Sequence, residues 1–135
     1  MNKQELCSAA INAMKKSYSP YSNYTVGAAL LCKNGNVYTG CNIENAAYSP
    51  SVCAERTAFF KAVSEGERDF TAIAVAGGKG GKIQDGAPPC GVCRQVMAEF
   101  CGGDFEILVA TGETGFKSYT LSELLPEAFG PDKLS

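Results

Sequence analysis

Apolar positions at Leu6, Ala9, Ala10, Ala13 and Met14 recur at spacings of three and four, which predicts an amphipathic helix over residues 3–16. Lys15 and Lys16 suit its negative C-terminal end, and Ser19-Pro20 stops it. The apolar runs VGAALLC (26–32) and VYTGC (37–41) flank Lys33-Asn34-Gly35-Asn36, and an Asn-Gly pair between two such runs is a hairpin signal. That hairpin delivers Asn42, Ile43 and Glu44 at a strand end. Residues 53–64 lack Gly and Pro and carry Phe59, Phe60 and Val63 on a helical stripe, with Gly66 placed to end the helix. FTAIAVA (70–76) reads as a buried strand, and GGKGGKIQDGAPP as a loop whose glycines lack phosphate-loop spacing.

Pro88-Pro89 opens a further helix over 90–101, closed by Gly102-Gly103. EILVAT (106–111) is a strand, and 116–119 a weaker one. Thr120-Leu121-Ser122-Glu123 has the form of a capping box leading into a short last helix, LSELLPEAF, which Pro126 should disturb. The order predicts an α/β fold: a three-layer α/β/α sandwich around a mixed central sheet of about five strands. The first two strands should be antiparallel, and helical crossovers should make later neighbours parallel. No repeat and no domain boundary is visible, so residues 1–135 read as a single domain.

Composition narrows the function. The net charge is −2, from twelve basic and fourteen acidic residues, and this argues against gripping a phosphate backbone, so no nucleic-acid partner is expected. No apolar run approaches the ~20 residues of a membrane span, and the N-terminus lacks a signal-peptide core. No membrane association and a cytoplasmic location are the expectation. Seven cysteines is a high count, but the number is odd and two form a CxxC. Reduced thiols around a metal suit that pattern better than a disulfide framework.

The chemistry concentrates in Cys53-Ala54-Glu55 and Pro89-Cys90-Gly91-Val92-Cys93, in a chain with no histidine. Three thiolates hold a zinc ion while leaving its fourth tetrahedral position open, the layout of a catalytic rather than a structural site. Cys53, Cys90 and Cys93 each stand at the start of a predicted helix, where free N–H groups and the helix dipole favour thiolates. Positions i and i+3 share a helical face, so Cys90 and Cys93 can face one ion. With no imidazole available, Glu55 is the candidate proton carrier. Three thiolates leave a divalent ion with a formal charge of −1, so something must withdraw charge; Arg56 and the two helix N-termini are the candidates. A CxE upstream of a PCxxC is the arrangement of a zinc deaminase. Cys7, Cys32, Cys41 or Cys101 could in principle supply a fourth, structural ligand, but they read as buried small hydrophobes.

CNIENAAYS (41–49), CAERTA (53–58) and PCGVCRQV (89–96), with YSPYSNYTVGAAL near the start and ELLPEAF near the end, closely resemble the small homotetrameric cytidine deaminases over nearly the whole chain. The resemblance implies one Zn2+ per subunit on Cys53, Cys90 and Cys93, with Glu55 as proton donor and acceptor and Arg56 moderating the thiolate charge. It implies that Asn42 and Glu44 bond ribose hydroxyls, and that Ala54, through its backbone, and Glu55 read the pyrimidine edge. Tyr24 stands where the family usually has Phe against the substrate, so its hydroxyl must be accommodated. Phe129 would cover the pyrimidine in a neighbouring subunit's pocket, and Tyr48 would line a subunit interface.

The implied activity is hydrolytic deamination of cytidine and 2′-deoxycytidine, as free nucleosides, in pyrimidine salvage. Three alternatives compete with it: a deaminase of a related compound such as blasticidin S, a non-catalytic zinc-stabilised binding module, and a metal-free CxxC redox protein.

Overall fold

The computed structural model describes residues 1–135. Helix α1 spans Lys3–Ala13 and tightens into a 3₁₀ turn over Met14–Lys16. Asn2 and Glu5 close a capping box at its start: the Asn2 side chain accepts from the Glu5 N–H at 2.8 Å, and the Glu5 carboxylate accepts from the Asn2 N–H at 2.9 Å. The hairpin forms as expected, with β1 at Tyr24–Cys32, β2 at Val37–Cys41, and Gly35 at φ +94° in the turn. Helix α2 covers Ala54–Ser64, and Gly66 takes a left-handed φ of +100° just beyond it. The remaining elements are β3 (Phe70–Lys79), α3 (Gly91–Phe100), β4 (Glu106–Ala110), β5 (Phe116–Thr120) and α4 (Leu121–Leu124).

The five strands form one mixed sheet in the order β2-β1-β3-β4-β5. Strand alternation divides its faces. Ala28, Leu30, Ile73, Ile107 and Val109 join Phe59 and Met97 under α2 and α3. Ala29, Ala72, Ala74, Leu108 and Ala110 join Leu6, Ala10 and Met14 under α1. The three expected layers follow from that division.

One topological expectation needs correction. β3 and β4, joined through α3, are parallel neighbours, but the crossover through α2 does not set β3 beside β2. β3 docks antiparallel on β1 instead, pairing from Tyr24–Lys79 to Cys32–Phe70. From Ala72 to Gly78 β3 is buried at every position, so it must sit in the sheet interior, while β2 is only partly buried and takes the edge.

Boundaries also move, most at β3 and α4. The strand expected over 70–76 continues through Gly77 and Gly78, which pair with Val26 and Thr25. A Cβ on Gly78 would stand 1.7 Å from the Lys82 carbonyl oxygen, so only glycine lets the following loop fold back over the strand. The capping box at Thr120 and Glu123 is present, but the helix it starts ends at Leu124, ahead of Pro126 and of Glu127 at φ +54°. Cys7 and Cys32 are buried as expected, whereas Cys41 and Cys101 are only partly so.

Candidate metal and substrate site

Cys53 and Cys90 are the N-cap residues of α2 and α3, both extended, and neither makes a side-chain cap. The free N–H groups of two helix ends are therefore left near the sulfurs. Cys93 lies one turn into α3 and is 1% exposed. Gly40 allows α2 to approach: a Cβ there would lie 2.6 Å from both the Ala54 carbonyl oxygen and the Ala58 nitrogen.

The Cys53 and Cys90 sulfurs are 3.5 Å apart, as are those of Cys90 and Cys93, and all three ligand atoms lie within 4.8 Å of one another. Sulfurs bound tetrahedrally to zinc at about 2.3 Å stand about 3.8 Å apart, so this donor set fits the ion closely. No aspartate, glutamate or further cysteine joins the three, which leaves the set one ligand short of a closed structural site. The sulfurs perturb one another strongly. The Cys93 thiol beside it, followed by the Arg56 guanidinium and Cys90, holds Cys53 down at about 5. Cys93 is driven upward by that neighbour and by burial. Arg56 Nη2 donates to Cys53 Sγ at 3.5 Å, while its buried Nε has no protein partner.

Glu55 is 3% exposed, and burial, reinforced by the Cys53 charge, raises its carboxyl to about 7. A carboxyl poised there can take up and give back a proton at neutral pH.

A cavity of about 430 Å³ is lined by Glu55, Arg56, Cys53 and Cys90 together with Tyr24, Asn42 and Glu44. Its size is within the usual range for small-molecule sites. The segment 42–44 is held extended because Ile43 bridges to both Tyr18 and Val52, so Asn42 and Glu44, two residues apart, face the same side.

Both polar side chains are fixed by the chain's own hydrogen bonds. Asn42 Oδ1 accepts from the Val26 N–H at 2.9 Å and from the Ser17 hydroxyl, and its Nδ2 donates to the Tyr24 carbonyl at 2.8 Å. Those main-chain partners settle which end of the amide is which. Glu44 Oε1 accepts from the Tyr21 and Ser22 N–H groups at 3.0 and 3.1 Å, and Oε2 accepts from the Ser22 hydroxyl. Those bonds, led by the Ser22 hydroxyl, lower the Glu44 pKa. With about two acceptor sites per oxygen and two protons per amide nitrogen, the pair keeps one free N–H, on Asn42, and one free acceptor position, on Glu44.

Ala54, expected to act through its backbone, is the first residue of α2, between Cys53 and Glu55, with its side chain fully buried. Phe129, expected to act in a neighbouring subunit, is 59% exposed, and its carbonyl accepts from Gln95 Nε2 at 2.7 Å. Ser17 and Ser22, which orient Asn42 and Glu44, were not singled out by sequence reasoning, although Ser22 lies within the YSPYSNY stretch that carried the resemblance and Ser17 directly precedes it. Gly86, Ala87 and Pro88 at the end of the glycine-rich segment complete the cavity wall.

The family described as the cytidine and deoxycytidylate deaminase zinc-binding region matches residues 1–109. This chain belongs to that family. It is 47% identical to a cytidine deaminase of Sporosarcina psychrophila, over all of this chain and 96% of that one. It is 48% identical to a cytidine deaminase of Halalkalibacterium halodurans, over all of this chain and 99% of that one. Among solved structures, a cytidine deaminase from Burkholderia pseudomallei superposes with a TM-score of 0.85 at 42% identity, over 96% of this chain and all of that one. The zinc-binding description of the family agrees with the open three-sulfur set, and the deaminase fold agrees with the mixed five-stranded sheet. No helix of the deaminase is long and apolar enough to cross a membrane.

Proposed function

We infer that residues 1–135 act as one domain that hydrolyses cytidine and 2′-deoxycytidine to uridine and 2′-deoxyuridine with release of ammonia. The observation that carries this reading is the open set of three sulfurs and a buried carboxyl, sharing one cavity with Asn42 and Glu44, which keep one free donor and one free acceptor between them. Cys53, Cys90 and Cys93 would hold one zinc ion, whose chemistry is to bring the pKa of water from about 16 to about 7. Glu55 takes a proton from the attacking water and delivers it to the pyrimidine ring nitrogen as C4 is attacked, then takes the second proton from the new C4 hydroxyl and passes it to the departing amine as the C4 carbonyl forms. Arg56 offsets the surplus negative charge of the thiolates through its contact with Cys53. The Ala54 backbone and Glu55 read the pyrimidine edge, and Tyr24 packs against the substrate.

Asn42 and Glu44 together suit one hydroxyl, which accepts from the amide and donates to the carboxylate. A hydroxyl common to both nucleosides explains acceptance of either sugar. Glu44, an exposed-side anion, disfavours a phosphate there, so the substrate is the free nucleoside. Blasticidin S lacks such a ribose and would leave both groups unpaired.

Exposed Tyr48 and Phe129, at 73% and 59%, support a homotetramer in which Phe129 covers a neighbouring site. Free thiols support a cytoplasmic setting, and a free-nucleoside substrate suits a role in pyrimidine salvage. The test is ultraviolet-monitored conversion of cytidine to uridine with and without a chelator. Turnover that chelation abolishes and zinc restores is the expected result; turnover of blasticidin S with none of cytidine overturns the reading.

A further inference from the structure

Arg94 is out of place by local rules. It lies in the opening turns of α3, four residues past the N-cap Cys90, where the helix dipole disfavours a cation. It makes no ion pair with an acidic side chain. Its side chain instead runs back toward the helix start, the direction in which helical side chains point. There Nε donates to the Pro89 carbonyl and Nη1 to the Leu124 carbonyl, both at 2.7 Å.

Each acceptor depends on this arginine. Pro89 is fully buried and precedes Cys90 directly, and no backbone N–H reaches its carbonyl. Leu124 is the last residue of α4, where helical carbonyls are left without partners and a positive charge is favoured. No backbone N–H reaches the Leu124 carbonyl either. The planar guanidinium spans both acceptors at once, which a lysine ammonium on a flexible stem cannot reproduce. Cys93 needs no such help, since it is buried within the helix, but Cys90 is exposed at the rim and its position follows from the peptide that precedes it.

We propose that Arg94 is a positioning residue for the metal site: it rivets the Pro89 carbonyl to the end of α4 and thereby fixes where Cys90 presents its sulfur. The proposal rests on the reading of Cys53, Cys90 and Cys93 as zinc ligands. Arg68 supplies a matched control, because its Nη1 donates to the Val63 and Glu67 carbonyls at 2.9 and 2.7 Å at the far end of α2, away from the sulfurs.

The test compares zinc-loaded parent protein with Arg94→Met, Arg94→Lys and Arg68→Met, measuring the rate of zinc release to a metallochromic chelator and the thermal midpoint. Removing a residue that orients a ligand typically costs about 10–100-fold in metal affinity, so both Arg94 variants should release zinc faster by about that factor. Arg94→Lys keeps the charge and should still group with Arg94→Met. Arg68→Met should lower the midpoint without changing zinc release. Parent-like release from both Arg94 variants, or equal acceleration in Arg68→Met, overturns the positioning role. A parent protein without zinc by elemental analysis overturns the metal reading itself, and this proposal with it.

Discussion

Taking one hydroxyl away from the nucleoside tests the hydrogen-bond inventory of Asn42 and Glu44. Five contacts from Ser17, Tyr21, Ser22 and Val26 fill all but one of the pair's acceptor positions, and the Tyr24 carbonyl takes one amide proton. What remains can satisfy a single hydroxyl through one neutral and one charged hydrogen bond. These contribute about 0.5–1.5 and 1.5–3 kcal/mol, so deleting the hydroxyl costs about 2–4.5 kcal/mol. At 1.36 kcal/mol per factor of ten, that is about 30- to 2,000-fold in kcat/KM. The assay is ultraviolet-monitored deamination of cytidine and its 2′-, 3′- and 5′-deoxy analogues. Either the 3′- or the 5′-deoxy compound, and not both, should show the full loss, while 2′-deoxycytidine stays close to cytidine. In Glu44→Gln the same deletion should cost about tenfold less, because the charged acceptor has gone. Equal losses with the 3′- and 5′-deoxy compounds, or no loss with either, would refute the count of free valences.

Glu55→Gln keeps the side chain's size but cannot carry a proton, so zinc content should match the parent by elemental analysis while kcat falls by about 10²–10⁴; near-parental turnover would remove Glu55 from the mechanism. Gly40→Ala drives a methyl group into the α2 backbone and should destabilise by about 1–3 kcal/mol, with lower zinc retention as Cys53 shifts. Gly91→Ala, which meets nothing within 4 Å, should leave the thermal midpoint unchanged or raised. Glu67 accepts from Asn36, Asn34 and Tyr38, and those bonds, led by Asn36, lower its pKa from 4.5. A lowered folded-state pKa adds stability above the unfolded value that is lost as pH falls through the folded one. The stability gap between the parent and Glu67→Gln should therefore be full near neutrality and close below about pH 4; a gap that widens in acid would contradict the hairpin clamp.

Much of the architecture can be read from local pattern because local physics sets it. The spacing of Leu6, Ala10 and Met14, the Asn-Gly turn, Gly66 and the Thr120–Glu123 box each act over a few residues, and each element appears where they place it. The metal candidates were equally legible. Cys53 and the Cys90/Cys93 pair sit at helix starts marked by a Ser-Pro loop and a Pro-Pro pair, and CxE with PCxxC is specific in combination. The length of the last helix was less legible, since nothing before Pro126 announces a stop at Leu124.

By itself, then, the sequence determined the elements, the α/β class, the three sulfurs, Glu55 as the carboxyl beside them, and Arg56 as their charged neighbour. Tertiary structure alone decided that β3 enters between β1 and β4, that Ser17 and Ser22 orient Asn42 and Glu44, and that Arg94 joins Pro89 to Leu124. The physical reason is range. Periodicity, caps and turns are settled within about one helical turn, whereas a hydrogen bond between residues 30 apart, such as that from Arg94 to Leu124, exists only once packing has brought its ends together.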